Sequence, residues 1–110
     1  MAKTLDFNKA KKDHFTVVLN DDNHTRLQIM TPTKRQLEEL ALLLPEDTSE
    51  DPSDEDLKDL YEFVAQLMSR NRQRYTITGA MLEEILDYED IIIFLDAYSD
   101  FIAELSSSKN

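Results

Sequence analysis

Between Asp90 and Leu105, apolar residues recur at helical spacing: Ile91, Phe94, Leu95, Tyr98, Phe101, Ile102 and Leu105 form one stripe, with Asp96, Asp100 and Glu104 opposite. Burying a large apolar side chain is worth about 1.5–3 kcal/mol, so a stripe of this length must be covered by the rest of the chain. That cover comes from a small supply. The chain has 110 residues, the size of one domain with a single modest core.

The first candidate cover lies near the start. Phe15, Val17 and Leu19 alternate with Thr16, Val18 and Asn20, and Leu27 and Ile29 alternate with Gln28 and Met30. The intervening Asn20-Asp21-Asp22-Asn23 has turn chemistry, so residues 15–30 are expected to form a β-hairpin. Thr31-Pro32-Thr33 then opens a helix, with Thr33 and Gln36 spaced as a capping box and Pro45 marking its end. Leu37, Leu40, Ala41 and Leu44 share one face of it, while Leu42 and Leu43 point elsewhere.

Residues 46–56 hold seven acidic residues and no large apolar one, which describes a solvated loop over 46–53 leading into a helix start. Ser53 and Asp56 are spaced to cap that helix, whose stripe is Leu57, Leu60, Tyr61, Val64, Leu67 and Met68, running to about Gln73. Thr78 caps a further helix through Met81, Leu82, Ile85 and Leu86. The pattern predicts an α+β domain over residues 15–105, mainly helical, with about four helices and an N-terminal β-hairpin. Residues 1–14 form an irregular lead-in and 106–110 a disordered tail.

Charge and composition exclude several function classes. Twenty-three acidic against twelve basic residues give a net charge of −11, which repels phosphate and anionic lipid. No apolar run approaches the roughly 20 residues of a membrane span, and the stretch after Lys3, Lys9, Lys11 and Lys12 is strand-like, not a signal-peptide core. The chain is therefore expected to be soluble and unexported, with no membrane and no nucleic acid among its partners. Cysteine is absent and glycine occurs once, so there is no disulfide framework, thiolate site or glycine-rich phosphate loop. His14 and His24 beside Asp13 and Asp22 read as surface residues more readily than as metal ligands. Glu83-Glu84 and Glu89-Asp90 diverge on a helix, and Ser106-Ser107-Ser108 has no base. No catalytic signature, metal site or cofactor is expected.

Three features remain as candidate contact sites. RNRQRY, residues 70–75, puts three arginines into five residues, but on a helix Arg70, Arg72 and Arg74 project about 220°, 60° and 260° from Leu57 and make no common stripe. Its leading reading is a helix end whose cations meet exposed carbonyls and intramolecular acids, ahead of a protein partner and well ahead of nucleic acid. Ile92 and Ile93 lie outside the stripe of the last helix, so its first turn is either buried between elements or meets another chain. Leu42 and Leu43 stand outside theirs in the same way. Together these residues nominate a surface for a partner or for self-association.

The order of elements, LDFNK, then FTVVLNDDNHTRLQIMTPTKRQLEEL, an acidic spacer, and ITGAMLEEILDYEDIIIFLDAYSDFIAEL, resembles the tail assembly chaperones of long-tailed bacteriophages and prophages of Gram-positive bacteria. The similarity runs from about Leu5 to Leu105 and rests on length, acidity and helical pattern. It implies a non-enzymatic protein of the host cytoplasm, not retained in the mature virion, that coats the tape measure protein and assists tail-tube polymerisation. It further implies homo-oligomers and a longer product, reaching the tail-tube protein, made by a ribosomal slip; Ser108-Lys109-Asn110 is compatible with slippery codons. The alternative reading is an acidic inhibitor or adaptor that mimics nucleic acid through the carboxylates of residues 46–59 and 83–104.

Overall fold

In a computed structural model, which describes residues 13–43 and 54–107, the chain is an α+β domain of two strands and four helices. The helices outweigh the strands, as the periodicity predicts. Strand β1 (Phe15–Val18) pairs antiparallel with β2 (Arg26–Ile29) in the register Phe15↔Ile29, Thr16↔Gln28, Val17↔Leu27 and Val18↔Arg26. The turn is held by Asp21, whose carboxylate accepts the Thr25 N–H at 2.8 Å and the Thr25 hydroxyl. Those bonds favour the ionised carboxylate and lower its pKa, the hydroxyl contributing most. His24 takes the left-handed conformation, φ 49°, that closes the turn.

Helix α1 (Lys34–Leu43) begins with the expected capping box. Gln36 N–H donates to the Thr33 hydroxyl at 3.2 Å and Thr33 N–H to the Gln36 side-chain oxygen at 3.1 Å. Its expected apolar face is corrected, because of Leu37, Leu40 and Ala41 only Leu40 is buried. An open groove separates α1 from α2, with Glu39 and Leu42 on one wall and Asp59, Glu62 and Phe63 on the other. Like charges across it oppose closer packing.

Helix α2 (Asp54–Ser69) places Asp54, Glu55 and Asp56 in its first turn, at the positive end of the helix dipole. It buries Leu60, Val64, Leu67 and Met68 as expected, and Phe63 and Ala65 besides. Helix α3 (Gly79–Ile85) is capped by Thr78, whose hydroxyl accepts the Met81 N–H at 3.2 Å. Gly79 lets α3 approach α2 closely, since a Cβ there would stand 2.9 Å from Glu62 Cγ and 3.3 Å from Glu62 Cα. Helix α4 (Tyr88–Ser107) starts two residues before the expected Asp90. The reason is a second capping box, in which Asp90 N–H donates to Asp87 Oδ1 at 2.8 Å and Asp87 N–H to Asp90 Oδ2 at 3.1 Å. It also runs past Leu105, so Ser106 and Ser107 belong to the helix and not to a tail.

The α4 stripe is what the rest of the chain covers. Ile91, Phe94, Leu95 and Tyr98 are buried, and Phe101 and Ile102 pack against the same core as Leu27, Ile29, Leu67 and Leu82. Phe15 of β1 meets the Phe94, Tyr98 and Phe101 rings at centroid distances of 6.1, 5.8 and 5.5 Å. The lead-in through residue 12, the Pro45 stop, the loop 46–53 with its Ser53 cap, and Ser108 to Asn110 lie outside the described residues.

Candidate partner-binding surface

RNRQRY does not end a helix. Helix α2 stops at Ser69, four residues before the expected Gln73, and the segment turns to run along the outer edge of β2. Asn71 forms an antiparallel bridge with Ile29: Met30 N–H donates to the Arg70 carbonyl at 2.7 Å and Arg72 N–H to the Gln28 carbonyl at 3.0 Å. Gln28 N–H donates to the Gln73 side-chain oxygen at 2.9 Å, and Gln73 Nε2 returns a bond to Gln28 Oε1 at 3.0 Å.

Polar side chains end the helix. Buried Asn71 donates through Nδ2 to the Met68 carbonyl at 2.7 Å and the Tyr75 carbonyl at 2.9 Å, and accepts Tyr75 N–H at 2.9 Å. The Ser69 hydroxyl donates to the Ala65 carbonyl at 2.8 Å and accepts Ile77 N–H at 3.0 Å. Backbone groups that a longer helix would have bonded internally are thus satisfied by side chains.

The three arginines do not converge on a ligand. Arg70 is half-buried and donates through Nε to the Thr31 carbonyl at 3.1 Å, while Arg72 and Arg74 are exposed. Arg74 adopts φ 61°, closing the turn in the left-handed region. Among the described residues no carboxylate lies within ion-pair distance of any of the three, and the one such pair is the exposed Lys34–Glu38 at 3.4 Å. The expected intramolecular ion pairs are therefore not formed there, and backbone bonds take their place. Tyr98 completes the closure of β2 by donating its hydroxyl to the Met30 carbonyl at 3.1 Å. Burial pushes its pKa up to about 12, against a smaller lowering by the Arg70 charge.

Two of the apolar candidates are exposed. Leu42 is 85% exposed at the rim of the α1–α2 groove, and Leu43 is the last residue of α1. Ile93 is 64% exposed, while Ile92 is half-buried. Val18, which sequence reasoning placed only on the polar side of the hairpin, is 53% exposed. Val18, Leu19, Leu86, Ile93, Phe94 and Ala97 line one groove between β1 and α4. The signal for Val18 was available as a large apolar residue on the outward register of a strand; its nearness to Ile93 was not, since it depends on how α4 crosses the hairpin.

The backbone of β1 adds to this groove. Leu19 N–H donates to the Thr25 carbonyl at 2.8 Å, so residues 19 and 25 form a hydrogen-bonded pair, and by alternation so do 17 with 27 and 15 with 29. The N–H and C=O groups of Thr16 and Val18 therefore point away from β2, and they take no partner from the described residues.

Among the described residues no three of His, Cys, Asp and Glu come together as metal donors, and no helix is long and apolar enough to cross a membrane. His24 lies exposed at the hairpin turn beside Arg26, Tyr75, Met81 and Glu84, around an open cleft. Comparison with protein-family models, curated proteins and solved structures returns no match.

Proposed function

We propose that this chain is a non-enzymatic binding protein that covers apolar segments of a partner, in the manner of a tail assembly chaperone holding a tape measure protein in solution. The observation that carries the reading is the combination of Val18, Ile93 and Leu42, large apolar side chains exposed on a domain of net charge −11. Apolar faces supply non-directional contacts to a partner, and the negative surface keeps a coated complex dispersed. Work in the host cytoplasm, exclusion from the mature virion and contact with tail-tube subunits through a longer frameshifted product follow from the same resemblance.

Co-expression with a cognate tape measure protein tests this, with the soluble fraction of that protein as the readout. Wild type is expected to raise it, Ile93→Asp to lose much of the gain, and Arg72→Ala to keep it. Burial of an Ile is worth about 1.5–3 kcal/mol and an exposed ion pair about 0–1 kcal/mol. No rise with wild type sinks the proposal, and the reverse ranking of the two variants moves the contact to residues 70–75. A nucleic-acid mimic would instead lose its partner steeply with added salt.

A further inference from the structure

The surface of α4 extends beyond the hairpin that lies on it. Phe15 packs over Phe94, Tyr98 and Phe101, yet Ile93, on the same helix, lies uncovered beside the outer edge of β1. Among the described residues the sheet is one strand short of covering the helix on this side. A strand added next to β1 would receive the outward N–H and C=O groups of Thr16 and Val18 and would cover Ile93 and Ala97. Edge strands of folded proteins are commonly protected by Lys, Pro or a bulge, and Phe-Thr-Val-Val carries none of these.

We infer that the β1 edge takes up an extended peptide segment of a partner by strand addition, the segment having alternating apolar residues and lysine or arginine at its flanks. The inference deepens the binding reading above and rests on it. The backbone ladder supplies affinity and the groove accepts every second side chain. The basic flanks follow from charge. On α4 the helical neighbours of Ile93 include Glu89, Asp90 and Asp96, and from Tyr75 to Ser107 the chain has no Lys, Arg or His. A second copy of β1 is a poorer occupant. Each copy carries a net charge of −11, which opposes self-association.

Three labelled peptides test this on the full chain by fluorescence anisotropy: KKVTITVKK, the same peptide with its outward-bonding amides N-methylated, and EEVTITVEE. KKVTITVKK is expected to bind, and each of the other two to bind at least about tenfold more weakly, the N-methylated one through the loss of two net hydrogen bonds and EEVTITVEE through like-charge repulsion from the acidic chain. Ile93→Asp and Thr16→Pro, both at exposed positions, are expected to weaken KKVTITVKK comparably while circular dichroism stays unchanged. Hydrogen exchange at the Thr16 and Val18 amides is expected to be fast in the free chain and slowed by the peptide.

Equal binding of the N-methylated peptide, equal binding of EEVTITVEE, or no binding of KKVTITVKK overturns the inference. So does slow exchange at both amides before any peptide is added, which would show the edge already taken by residues 1–12 or by a second copy; light scattering separates those two. If KKVTITVKK fails while the tape measure protein is still held in solution, the binding function stands and strand addition falls.

Discussion

On the β2 side of the hairpin, the outward backbone groups of Gln28 and Met30 are taken up by Arg70, Arg72, Gln73 and Tyr98; on the β1 side, the equivalent groups of Thr16 and Val18 meet none of the described residues. The closed edge is the one that carries the arginines, and it uses their backbone and one Nε, leaving the other guanidinium groups outside the network. The open edge is uncharged and apolar. The difference teaches that in this molecule a dense run of charge marks a structural joint, while the edge that meets none of the described residues lies on a strand with no charge within it.

The comparison breaks most severely at Asn71. Asn71→Ala removes three hydrogen bonds and leaves the buried Met68 carbonyl and the part-buried Tyr75 N–H and carbonyl without their partner. It is expected to destabilise the fold by about 2–4 kcal/mol, read as a lowered denaturation midpoint. A loss under 1 kcal/mol would mean that the segment holds to β2 without its clamp.

Alkaline pH probes the same edge through Tyr98. Its pKa is raised from 10.0 to about 12, so above pH 10 the unfolded chain releases a proton that the folded chain keeps. The associated stability is whole below pH 10 and is lost as pH rises toward 12, by about 1–2 kcal/mol. Urea titrations at pH 9 and 11.5 should show that loss in wild type, and a smaller one in Tyr98→Phe. An identical decline in both would assign the effect to other groups.

A milder break is Gln73→Ala, which strips the side-chain partner from Gln28 N–H and Oε1 while the Arg70 and Arg72 backbone bonds remain. About 1 kcal/mol is expected from thermal melts, with hydrogen exchange at Gln28 rising more than at Met30. The smallest effect belongs to the open edge. Val18→Lys and Ile93→Asp are each expected to shift stability by no more than about 0.5 kcal/mol, since both side chains are exposed. Destabilisation above about 1.5 kcal/mol by either would show that the edge is part of the core and not a free surface.

What the sequence made legible was whatever its local spacing determined. The hairpin alternation, the Thr33–Gln36 and Thr78 caps and the α4 stripe all depend on residues within a few turns of one another, and they stand where the pattern places them. Asp87 and Asp90 were legible in the same way as a capping pair, although apolar density drew the boundary at Asp90 instead. The end of α2 was not, because Ser69 and Asn71 stop it in concert with Ile77 and with Ile29, a strand residue about 40 positions away. Leu37 and Ala41 fit an apolar face that the body of the protein does not reach. Ile93 was marked by standing off its stripe; that Val18 lines the same groove is a tertiary fact.

Phe15 belongs to the first strand of the described fold and is seated among three rings of its last helix. About 80 residues separate the two, which at elongation rates of about 5–20 residues per second is roughly 4–16 s of synthesis. Through that interval a newly made hairpin lacks the α4 rings that cover Phe15, and hairpins form in about 1–10 μs, so it samples its paired state many times before α4 exists. The seating of Phe15 is then timed by translation of the stretch from Met30 to Phe101, not by how quickly the strands find each other.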